Sequence, residues 1–156
     1  MSVQWLTFLH VASVLTLLGT HGASMSVLYR IRREHDRAKI LDLVTLSGET
    51  ILPMYISLAA IVVTGVLLGL KTHVFSQWWI WAAIVILVAV AALMGSIARP
   101  YFGRVKEACQ VRPSGVPRVS DEELGEILRS PTAHVISAIG VLGLLAILYL
   151  MVFHPH

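Results

Sequence analysis

Among its 156 residues the chain has a single cysteine, Cys109. One thiol excludes an internal disulfide and any zinc site built on cysteine, so Cys109 reads as a reduced bystander. Charge is scarce as well: Asp, Glu, Lys and Arg make up 13% of the sequence, against 56% hydrophobic residues. A soluble domain of this length could hardly cover so much apolar surface. Several catalytic signatures are missing too, since the sequence holds no glycine-rich phosphate cradle, no H-E-x-x-H pair and no Ser/His/Asp arrangement. Neither a repeat nor a low-complexity linker divides it, and residues 1–156 read as one domain.

The charges that do occur are segregated. Residues 5–29, 51–70, 78–98 and 132–153 contain no Asp, Glu, Lys or Arg. Each run can cross a hydrocarbon core of about 30 Å as a helix rising about 1.5 Å per residue. Lipid offers the backbone no hydrogen bonds, so the fold class is all-α: a four-helix transmembrane bundle in a lipid bilayer. The first run is too long for a cleavable signal and lacks basic residues before it, while Arg30, Arg32 and Arg33 follow at once; it reads as a retained helix.

Arg30, Arg32, Arg33, Arg37 and Lys39 lie between the first two runs, and Arg99, Arg104, Lys106, Arg112, Arg118 and Arg129 between the last two. Four crossings put those two loops on one side, which basic residues mark as cytoplasmic, leaving both termini outside. The net charge of +3 is thus a topology signal, and nucleic acid is not an expected partner. Trp5, Trp78, Trp79 and Trp81 mark the outer interface, Tyr29 and Tyr101 the inner one. Ile40, Leu43 and Val44 predict an amphipathic helix along the cytoplasmic surface. After the breakers Pro113, Gly115 and Pro117, Ser120-Asp121-Glu122-Glu123 reads as a capping box opening a short helix with Leu124, Ile127 and Leu128 on one face. Pro131 suits the first turn of the last helix. Gly65 and Gly69 form a GxxxG pair, and Ser137, Gly140, Gly143 and Ala146 a small-residue row; both suit bundle packing, a homodimer or docking to another subunit.

Seven histidines are present. His35, His154 and His156 belong to solvent, while His10, His21, His73 and His134 are near or within the runs. His10 and His21 are eleven residues apart, which places them within about 20° on one helix face and about 16 Å along its axis. Two histidines so spaced suit axial ligation of b-type haem, and Gly19 and Gly22 leave room for a flat macrocycle or for a tight helix crossing. His134, near the inner end of the last helix, is a candidate partner for His21; His73 lies further out than His10. Proton relay, metal passage and a plain hydrogen bond to Ser or Thr across helices are the alternatives. Glu49 is an interfacial carboxylate and Met54 a soft candidate ligand for haem iron or Cu(I).

The opening "FLHVASVLTLLG", Pro53 and Gly65 in the second run, the aromatic start of the third and the closing "LRSPTAHVISAIGVLGLLAILYLMVFHP" resemble a bacterial group of small four-helix membrane proteins catalogued as a domain of unknown function. In outline the chain is also similar to HemJ-type protoporphyrinogen oxidases and, more loosely, to CopD-like copper-resistance membrane domains. The resemblance implies a bacterial inner-membrane location and, at the matching position, His10 as a haem ligand. The HemJ type carries a lysine and a histidine in its third helix, where this chain has only apolar and small residues from Trp81 to Ala98.

The expected function is therefore electron transfer by haem b or another porphyrin, with His10 and His21 as metal ligands and His134 as an additional cofactor residue. The rival is a non-catalytic subunit packed into a larger membrane complex. Copper handling follows only from the looser resemblance, without the Met/His/Cys cluster such chemistry prefers.

Overall fold

A computed structural model describes residues 1–153, so His154 and His156, expected in solvent, lie outside the described residues. Each uncharged run is helical. Helix α1 spans Val3–Ile31, α2 Arg37–Glu49 and α3 Ile51–Thr72. Helix α4 spans Trp78–Leu93 and passes through a π-helical turn, Met94–Ala98, into α5, Arg99–Ala108. Helices α6, Asp121–Arg129, and α7, Thr132–Phe153, complete the fold. Four rods are long and apolar enough to cross a membrane. The described residues contain no strand, only an isolated bridge between Val111 and Pro117.

Within the bundle α1 packs chiefly on α3, and α4 on α7. Thirty-six large hydrophobic residues among those described stay exposed, including Phe8, Leu15, Ile56, Val85 and Leu142. That surface matches hydrocarbon and would aggregate in water. Lys71 Nζ donates to the Met1 carbonyl at 2.7 Å, so the chain's start and the α3–α4 turn share one end of the bundle.

The best-buried core is at the other end, where charge concentrates. Leu28 and Ile31 of α1, Ile40 and Val44 of α2, Tyr101 and Val105 of α5, Leu124 and Leu128 of α6 and Ala133 of α7 form one cluster. This corrects the expectation that α2 rests its apolar stripe on the membrane surface: Ile40 is fully buried against protein. Only Thr50 separates α2 from α3, and the two make one candidate span, Arg37–Thr72.

The arginines that mark topology also close this core. Arg37 donates to the Ala108 carbonyl at 2.9 Å and the Val119 carbonyl at 2.8 Å, and pairs with Asp121 at 2.7 Å. It thereby occupies a backbone acceptor left over at the end of α5. Arg32 does the same for α6, donating to the Ser130 carbonyl at 2.7 Å and the Arg129 carbonyl at 3.3 Å. Ser120 caps α6 as expected, its hydroxyl accepting from the Glu123 amide at 3.1 Å.

Candidate intramembrane histidine site

His10 lies about two turns into α1, one turn after the buried Leu6, on the face that meets α3. Its Nδ1 is 2.9 Å from Thr64 Oγ1. The Thr64 hydroxyl has one proton, and its shortest contact, 2.6 Å, is to the Ala60 carbonyl one turn back. A carbonyl only accepts, so the hydroxyl donates there and receives the imidazole proton. In that arrangement Nδ1 carries the hydrogen and Nε2 the lone pair. Gly65 makes room for the ring, since a β-carbon there would meet His10 Cε1 at 3.3 Å.

His21 faces a different neighbour. Its Nε2 is buried with no hydrogen-bond partner among the described residues. It lies over Gly140 of α7, in the place where a β-carbon would stand, and Met94 Cε reaches within 3.0 Å of the same position. Met94 opens the π-helical turn, an irregularity that re-aims side chains and often accompanies function. An unsatisfied buried nitrogen costs about 1–3 kcal/mol. The two histidines predicted on one face of α1 thus serve two interfaces, His10 with α3 and His21 with α7.

His134 is exposed, its ring 6.0 Å from that of Tyr29 and tilted by 51°. His21 meets α7 at Gly140, six residues or about 9 Å further along the axis, so His21 and His134 are not brought together. His73 is exposed and ends α3 in the left-handed region, φ 56°, while His35 is exposed in the α1–α2 turn. Met54 is half-buried near the start of α3, and Glu49 is exposed at the end of α2.

The small residues also have identifiable occupants. Gly69 receives the Phe75 ring, two of whose carbons would lie 2.7 Å from a β-carbon, and Gly143 receives Val90. The GxxxG pair of α3 therefore seats two rings of its own chain, His10 and Phe75. Gly19 and Gly22 are exposed, with open space where a side chain would be, so neither makes a tight crossing.

Two groups outside the membrane spans have shifted acidities. The backbone amides of Asp36 and His35 donate to the Glu34 carboxylate at 3.1 and 2.9 Å and hold its pKa below the ordinary value. Burial pushes the Cys109 thiol up, opposed by the charge of Arg37.

The hydrogen bond across helices to Ser or Thr that the sequence offered as an alternative is present at His10, with Thr64 as its partner. The sequence did not single out Thr64, and it missed Met94 and Gly140 as neighbours of His21. Gly140 stood in the small-residue row and Thr64 directly precedes Gly65, but only the pairing of helices reveals which ring each serves. Comparison of the chain with protein-family models, curated proteins and solved structures finds no match. The class defined by fold and site is a multi-pass helical membrane protein with two imidazoles inside its bundle.

Proposed function

We propose that this is a redox protein of a bacterial inner membrane that binds haem b or a related porphyrin through His10. The carrying observation is the Thr64 hydrogen bond, which engages Nδ1 and leaves Nε2 as a lone pair. Metal-ligating imidazoles are held in this way, the second nitrogen fixing tautomer and ring orientation. When bound, haem supplies reversible one-electron chemistry. The chain orients the imidazole through Thr64 and seats it over Gly65 in the α1–α3 interface.

His21 fits such a group less well. Gly140 and Met94 stand against its Nε2, and His134, six residues from Gly140 on the same helix, does not complete a ligand pair with it. The basic residues around α2 and α5–α6 support an inside-facing charged end, with both termini outside the cytoplasm. The test is the absorption spectrum of protein purified in mild detergent. A Soret band lost in His10→Ala is expected, and a colourless wild-type preparation that takes up no haemin counts against this reading.

One observation favours a second reading, a non-catalytic subunit of a larger membrane complex. Only 6% of the most apolar 18-residue stretch of Trp78–Ala108 is buried within the chain, which leaves a wide face for another subunit. Stoichiometric co-purification of a partner through mild detergent supports it, and a clean monomer argues against it.

A further inference from the structure

At the charged end, residues 110–119 double back over α5, held by hydrogen bonds that the Arg112 amide donates to the Val116 carbonyl at 2.8 Å and the Arg118 amide donates to the Gln110 carbonyl at 3.0 Å. Between this hairpin, α5 and α6 lies an open cleft of about 490 Å³. Its rim carries Arg104, Arg112 and Arg118 with one acid, Glu107; Ala108, Pro113, Val119 and Ile127 give it apolar walls.

The three guanidinium groups are not equally engaged. Arg118 pairs with Glu107 at 3.3 Å. Arg112 makes only a long contact, 3.5 Å, to the Arg118 carbonyl. Arg104 makes no hydrogen bond or ion pair among the described residues. By contrast, Arg32 and Arg37 of the same end are committed to backbone carbonyls. The cleft therefore holds donor capacity that the fold does not consume.

We propose that this cleft binds an organic phosphate, through Arg104 and Arg112 with Arg118 shared between ligand and Glu107. Planar guanidinium groups match phosphate oxygens in paired, charge-assisted hydrogen bonds. The apolar walls suit the carbon skeleton of a phosphate ester. The same chemistry is offered by an anionic phospholipid headgroup, which a site beside the bilayer meets continuously, and by a soluble phosphate ester. This proposal is independent of haem binding.

The test uses the full chain in nanodiscs of phosphatidylcholine. Phosphatidylglycerol is added to one set, and glycerol 3-phosphate to the other in solution; binding is read by native mass spectrometry and by protection against thermal unfolding. Wild type is expected to retain at least one probe, with binding about 10-fold weaker in Arg104→Gln and tighter in Glu107→Gln. Retention of phosphatidylglycerol alone identifies a lipid site, and retention of glycerol 3-phosphate a soluble-ligand site. Far-ultraviolet circular dichroism checks that each variant is folded. Binding of neither probe, or equal binding by folded wild type and Arg104→Gln, overturns the proposal.

Discussion

The imidazole Nε2 of His21 stands against Gly140, in the volume a β-carbon of residue 140 would claim. A ring on α1 and a missing side chain on α7 thus form one steric unit, closed by Met94. It links α1 to the α4–α7 pair deep in the apolar region.

Gly140→Ala should consequently destabilise the bundle by about 1–3 kcal/mol, the usual cost of overpacking. His21→Ala in the same chain should recover much of that loss, because the two changes address one volume. Denaturation in mixed micelles, followed by circular dichroism for both single variants and the double variant, provides the check. Additive losses would show that the ring and the glycine are not coupled.

Thr64→Val keeps the shape of the side chain and removes its hydroxyl. His10 Nδ1 then loses the partner now at 2.9 Å, at a cost of about 1 kcal/mol for an interhelical bond in lipid. Unfolding of Thr64→Val beside Thr64→Ser should separate the hydroxyl from the methyl, with serine close to wild type.

Arg37 and Asp121 form an ion pair whose members should contribute unequally. The Asp121 side chain is 93% exposed and that of Arg37 15%. Asp121→Ala should cost under about 1 kcal/mol, as exposed ion pairs generally do. Arg37→Ala should cost about 2 kcal/mol or more, since it also strips the carbonyls of Ala108 and Val119 of a charged donor. Thermal unfolding of the two variants ranks them, and equal losses would contradict the capping role.

Burial raises the Cys109 pKa, so the folded chain favours the neutral thiol. The raised value stands above that of the unfolded chain, about 8.5. Its stabilising contribution is complete below the unfolded value and disappears as pH rises through the folded one. Alkylation by iodoacetamide should therefore be slow at pH 8, speed up with rising pH, and become rapid on denaturation. Fast labelling of the folded chain at pH 7 would contradict the burial.

Much of the fold was legible because lipid permits few solutions. Charge-free runs at 51–70 and 132–153 become α3 and α7 almost to the residue, and the serine cap of α6 follows its local signal. The destination of α2 was not legible. Its stripe of Ile40 and Val44 is equally suited to a membrane surface or to protein, and the choice depends on α5 and α6, which come much later in the chain. The site was half legible for the same reason. Periodicity places His10 and His21 near one face, yet which helix meets each ring depends on packing across the bundle.

Haemin titration of detergent-solubilised chain, free of porphyrin beforehand, tests most directly whether the bare Nε2 of His10 is a ligand. A Soret shift saturating near one equivalent is expected in wild type and in His21→Ala, and should vanish in folded His10→Ala. Equal saturation of wild type and His10→Ala would contradict it.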